Sequence, residues 1–356
     1  MGLKEILSQI KPLNREAIQE AKRRTEDLLM PRLALGRLHE ISWQVAGITG
    51  KIPKALPKKV VMVGAGDHGV AEEGVSLFPQ EVTRQMVLSF IRGWAAINVI
   101  ARYVGARVIV VDFGVKGPPD PEWINARGRF YSMKVREGTS NIARGPAMSL
   151  REAEEVVLKG IEVFEREAEK GIDIIATGDM GIANTTASAA VICAITGLDP
   201  HEVVGRGTGL DDRALEHKIS VVKRALEVNR PNPRDALDVL SKVGGLEIGG
   251  ICGWIIGGAR ARVPVVVDGF ISTAGALLAV TLEPKVKDYL FAGHCSAEKG
   301  HRKVLQYLGL EPILDLQMRL GEGTGACLAL GIVEASVKIL AEMATFEDAG
   351  VSKALK

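Results

Sequence analysis

Read for the spacing of its apolar residues, the chain changes character near Lys58. Before that point, residues 3 to about 46 carry the spacing of two or three amphipathic helices, with Pro12, Pro31 and the Gly47/Gly50 pair as breaks. Beyond it, short uninterrupted apolar runs at 60–63, 108–111, 172–176, 263–267 and 289–291 predict strands buried on both faces. Helical spacing lies between them at 82–103, 150–169, 185–196, 212–228 and 248–261. Buried strands alternating with helices predict βαβ units and an α/β fold with a mostly parallel sheet. Right-handed crossovers then place the C-terminal end of every strand on one edge, where open sheets bind ligands. Each run is followed by a glycine-containing polar stretch: GAGDHG, DFGV, TGDMG, VDGF and AGHCS.

Composition narrows the partners. The 356 residues are 47% hydrophobic, 25% charged and 4% aromatic, and a net charge of +2 is spread without a basic block. That leaves no electrostatic footprint for nucleic acid or a membrane surface, and few rings for base stacking. The four cysteines, 193, 252, 295 and 327, lie far apart with no CxxC, which predicts buried reduced thiols and no zinc site. The N-terminus lacks a secretory apolar region, and no window gives the uncharged apolar length that spans a bilayer, so a cytoplasmic protein is expected.

Candidate chemistry gathers in the glycine-rich stretches. In MRLGEGTGA, residues 318–326, Gly321 and Gly323 frame one carboxylate, Glu322, at the entrance to a long apolar helix. Burial there would raise its pKa, which suits a general base; the plainer reading is a helix-start acid held by the macrodipole. In GDMGIANTT, 178–186, a strand end and glycines lead to Asn184, Thr185 and Thr186 opening a small-residue helix, an arrangement able to hold an anion, with Asp179 beside it. GRGTGLDD, 205–212, offers Arg206, Gly207, Thr208 and Gly209 before a helix capped by Asp211 or Asp212, with Lys218 two turns on. Gly64, Gly66 and Gly69 match a dinucleotide fingerprint, yet no helix is expected at Gly69 and no acid closes a second strand about 20 residues on. Leu77 and Phe78 offer an apolar wall with Gln85 one face along, suited to a flat ring.

Taken together, these stretches resemble the nicotinate-nucleotide–dimethylbenzimidazole phosphoribosyltransferase family of cobalamin lower-ligand synthesis. The resemblance rests on GDHGV, FPQEVTRQM, GWAAINVIAR, DFGV, GTSNIARGPAM, GDMGIANTT, GRGTGLDD, VDGFISTAGALLA, GHCSAEKGH and LDLQMRLGEGTGA, in order from about residue 58. It implies a Rossmann-like large domain (58–316) and a small helical domain from both termini (1–57 and 317–356), in a homodimer. It implies transfer of 5-phosphoribosyl from nicotinate mononucleotide to dimethylbenzimidazole or a related base, giving α-ribazole phosphate and nicotinate with no metal or cofactor. Glu322 corresponds to the family's general base. Leu77, Phe78, Gln85, Asp179, Met318 and Leu320 would form the base pocket. Gly181, Asn184, Thr185, Arg206, Gly207, Thr208, Gly209, Lys218, Gly293 and Ser296 would hold the nucleotide. The chain departs from the family at Asp179 and Ala183, where Glu and Gly are usual. Two other readings of the residues are an NAD-dependent oxidoreductase using GAGDHG and a non-catalytic nucleotide-binding regulator.

Overall fold

The computed structural model describes residues 2–126 and 128–352. Seven strands form one parallel sheet: β1 (Lys59–Gly66), β2 (Ala106–Gly114), β3 (Phe130–Ser132), β4 (Ile174–Met180), β5 (Val265–Val267), β6 (Leu290–His294) and β7 (Pro312–Leu314). Their spatial order is β3-β2-β1-β4-β5-β6-β7. The chain builds outward from β1 to β3, then returns to lay β4 on the other side of β1. That reversal opens a crevice at the carboxyl ends of β1 and β4, the usual binding place in such sheets.

The apolar runs fall in the five longer or central strands, but the strands reach further than the runs. β1, β2 and β4 continue through Gly66, Gly114 and Met180, so the glycine motifs are strand ends rather than turns after them. The single helix expected over 82–103 is two, Glu81–Arg92 and Ala96–Val104. Gly93, at φ +80°, ends the first by returning its N–H to Phe90, a backbone angle that suits glycine. A five-residue 3₁₀ helix, Gly69–Glu73, does begin at Gly69, although no helix was expected there.

Helices cover both faces. Leu246–Ala261 lies against β1, β2 and β4 and packs on Leu150–Ala168. Gly64 and Gly66 meet its Trp254 and Glu247, while Val61, of opposite parity, meets Gly323 at the start of Thr324–Glu342. Alternation along β1 therefore puts these two helices on opposite faces. Thr324–Glu342 runs along β4, β5 and β6 and also packs on Arg37–Thr49 and Ala96–Val104. By length and composition it could cross a membrane, contrary to the expectation that no segment would. Here it is built into the core through Ala326, Leu330, Val333 and Val337, and its Glu334 pairs with buried Lys59 at 2.8 Å.

The N-terminal segment forms three helices, Leu3–Ser8, Arg15–Asp27 and Arg37–Thr49. Gly47 does not break the third, which runs on until Gly50 caps it; Gly47 sits where Ile18 leaves no room for a Cβ. Arg24 donates to the carbonyls of Leu340, Ala341 and Met343 and so satisfies carbonyls at the helix end. Ala17, Ala21, Leu28, Ala46 and Leu340 make a second, smaller apolar cluster there.

Candidate active site

A cavity of about 260 Å³ opens at the crevice beside the end of β4. One wall is Asp179–Thr185, the end of β4 and the turn into the helix Asn184–Thr196. Phe78, the loop residues Gly207 and Thr208, the start of Phe270–Leu282, and His294, Ser296 and Glu298 after β6 complete the sides. Arg319, Leu320 and Gly321 close it. The cavity thus brings together Phe78, Asp179, Gly181, Asn184, Thr185, Gly207, Thr208, Ser296 and Leu320, from stretches far apart in sequence.

The other candidates sit around it. Glu322 follows Gly321 directly and is 5% exposed, in the left-handed region at φ +61°. Its Oε2 accepts the N–H of Ile97 (3.2 Å) at the start of Ala96–Val104, leaving Oε1 without a protein partner among the described residues. Burial raises its pKa, the Ile97 N–H opposes that, and Asp268 adds to the rise. A non-glycine residue in this region costs about 1–2 kcal/mol, and such outliers cluster at functional sites. Lys218 is 1% exposed behind the wall, with Nζ 2.7 Å from Thr185 Oγ1. Burial pulls its pKa down to about 8, against the field of Glu298.

Some candidates are turned elsewhere. Leu77 is 62% exposed and gives its N–H to Thr208 Oγ1, and Gln85 is exposed on Glu81–Arg92. Met318 is half-buried and its carbonyl accepts Ala297 N–H. The Arg206 guanidinium is taken by the Leu210 carbonyl and Asp212, and Gly209 is exposed at φ +111°. Gly293 lies inside β6, where a Cβ would meet Ala326 Cα at 2.7 Å, so it is a packing position. Asn184 does not cap its helix: Ala183 stands at the cap with φ +72°, and Asn184 Nδ2 donates to Asp179 Oδ2 at 3.0 Å.

Asp179 is strongly perturbed. Burial, then the negative charges of Asp268, Glu247 and Glu322, push its pKa well above the ordinary carboxylate range; the Asn184 amide opposes them. Asp268 is raised by burial and held down by His294 and by N–H groups of Ala326, Gly269 and Gly323. His301 is driven down to about 3, so it is neutral, accepting Ser296 N–H on Nδ1. Sequence reasoning missed Arg319 and Glu298. Arg319 sits inside the MRLGEGTGA stretch and gives its guanidinium to the Gly207 carbonyl (2.8 Å), tying the two loops together.

The dinucleotide reading loses its remaining support. Gly64 and Gly66 serve close helix packing, and the Asp112 carboxylate is spent on Val115 N–H and Lys134. Comparison with known proteins points the other way. A family model described as phosphoribosyltransferase matches residues 10–351. A nicotinate-nucleotide–dimethylbenzimidazole phosphoribosyltransferase of Desulforudis audaxviator is 54% identical, covering 99% of this chain and 98% of the relative. One of the same description from Chloroflexus aggregans is also 54% identical, over 99% and 98%. Crystal structures of CobT and of the like-named phosphoribosyltransferase from Thermus thermophilus superpose with TM-scores of 0.90 and 0.89, at 48% and 46% identity. They cover 95% and 96% of this chain and all of the solved chains. The chain belongs to the nicotinate-nucleotide–dimethylbenzimidazole phosphoribosyltransferase family.

Proposed function

We propose that the chain moves the 5-phosphoribosyl group from nicotinate mononucleotide to dimethylbenzimidazole or a related base, releasing nicotinate and α-ribazole phosphate. The observation that carries the reading is Glu322, a buried carboxylate of raised pKa held in a strained backbone position at the rim of an anion-suited cavity. Phosphate is held by Lys218, Ser296, Thr185 and the amides of the Gly207 loop. The flat base lies over Phe78 and Leu320, which at 53% and 58% exposure are unusually bare for large apolar residues.

The chemistry needs little else. Glu322 takes the azole N–H proton as the other ring nitrogen attacks C1′ of the ribose. The C1′–nitrogen bond to nicotinate breaks, and its electron pair neutralises the pyridinium, so no general acid is required. Attack opposite the leaving group turns the β-glycosidic bond into α. No step calls for a metal or a cofactor, and turnover is expected to persist in excess chelator. Four free buried cysteines fit a reducing, cytoplasmic setting.

A homodimer is part of the proposal. Val99 and Tyr103, one turn apart on the helix Ala96–Val104, and Trp94 just before it are 55%, 84% and 67% exposed, and that helix packs on Thr324–Glu342. Grouped large apolar side chains of this kind commonly mark an interface. The test is to incubate the protein with nicotinate mononucleotide and a panel of benzimidazoles and purines, following products by chromatography and mass. Nicotinate formed one-for-one with a ribosylated base supports the reading. Nucleotide binding without product from any acceptor would favour a regulator instead.

A further inference from the structure

The transfer chemistry leaves the cavity carboxylate Glu298 unused. Glu298 lines the cavity at 6% exposure, two residues beyond Ser296. Its backbone is fixed: its N–H donates to Ser296 Oγ (3.3 Å) and its carbonyl accepts His301 N–H (3.0 Å). Neither carboxylate oxygen has a hydrogen-bond partner among the described residues, and Oε2 is fully enclosed. Lys218 feels its charge, yet the two stand too far apart for an ion pair, and Lys218 bonds Thr185 instead. The glycine loop closes over both: a Cβ on Gly205 would lie 1.9 Å from Glu298 Oε2, and one on Gly207 3.0 Å from Lys218 Nζ.

An unpartnered buried carboxylate is costly, and beside a phosphate site it also repels the ligand's own anion. Hydroxyl donors on the ligand would offset both penalties at once. Between its phosphate and its base, a ribonucleotide offers two, the 2′- and 3′-hydroxyls. We propose that Glu298 accepts the ribose hydroxyls of the bound nucleotide and thereby selects ribosyl over deoxyribosyl donors. This rests on the transferase reading of the cavity. Lys218 then anchors one end of the nucleotide and Glu298 its sugar edge, which fixes C1′ for attack.

The test is binding, by calorimetry, of nicotinate mononucleotide and its 2′-deoxy and 3′-deoxy analogues to wild type, Glu298→Gln and Glu298→Ala. The wild type is expected to bind at least one deoxy analogue about 10–100-fold more weakly, the range for a lost hydrogen bond to a charged group. In Glu298→Ala that preference shrinks to a few-fold, and Glu298→Gln falls between. A wild type that binds all three alike overturns the proposal without any variant. So does a variant that weakens all three equally, which is what a purely structural or Lys218-neutralising role gives. Discrimination in binding with no nicotinate released in turnover would instead remove the transferase reading and leave the sugar contact standing.

Discussion

Asp179 shows how far a residue's chemistry can depart from its type. Its pKa is raised, so the folded state prefers the neutral acid, and folding takes up a proton. The stability penalty is therefore absent below the unfolded pKa and grows as pH rises towards the folded value. Asp179→Asn removes the charge and can keep the Asn184 contact, so it should raise Tm at neutral pH by about 1–4 °C and flatten its pH dependence. A lower Tm in a thermal-melt series would contradict that account. Lys218 carries the opposite sign: it is charged below about pH 8 and loses its charge above. The free enzyme's kcat/KM should fall above about pH 8. Lys218→Arg, which does not titrate there, should abolish that alkaline limb even if its activity is lower. A limb that persists unchanged in the variant would assign it to another group. The glycine frame drew attention to Glu322, although that stretch alone fits a helix-start acid better, and nothing drew attention to Glu298. Nothing in AEKGH distinguishes a solvated acid from a buried one, because its burial comes from the Gly205 loop nearly a hundred residues away.

At the scale of elements, the buried strands could be read because both their faces are apolar. β3 and β7 could not: they are three-residue edge strands, only partly buried, and one contains Pro312. Phe270–Leu282 is apolar or small on almost every side and buried throughout its first ten residues, so it has no period to find. The break at Gly93 was concealed by helix-forming residues on both sides. Contact between Leu150–Ala168 and Leu246–Ala261 depends on glycines whose spacing shows nothing alone. A Cβ on Gly253 would lie 2.2 Å from the Val157 carbonyl oxygen, and one on Gly160 2.3 Å from that of Gly250. Alanine would otherwise favour a helix by about 1 kcal/mol, but backbone cannot yield here. Gly253→Ala should therefore lower stability by about 1–3 kcal/mol, the usual cost of overpacking, read as a drop in the denaturation midpoint. An unchanged midpoint would mean that the helices can part freely.

For the whole molecule, the sheet order matters more than any single motif. By returning to place β4 beside β1, the chain brings residues from its first hundred and its last forty to one crevice. The final helix serves two ends: its N-terminus presents Glu322, and its C-terminus is held by Arg24. Which face would meet a second copy was not legible, since exposure of Trp94, Val99 and Tyr103 is a property of the fold. Light scattering should give twice 38.1 kDa, and Val99→Asp with Tyr103→Glu should shift it towards the monomer. A wild-type monomer at micromolar concentration would remove the homodimer. The proposed role of Glu322 as the base is tested by the kcat of Glu322→Gln with both substrates saturating. A fall of about 10²–10⁴-fold, with affinity for nicotinate mononucleotide unchanged, is predicted. A kcat within a few-fold of wild type would place the proton on another group and contradict the account.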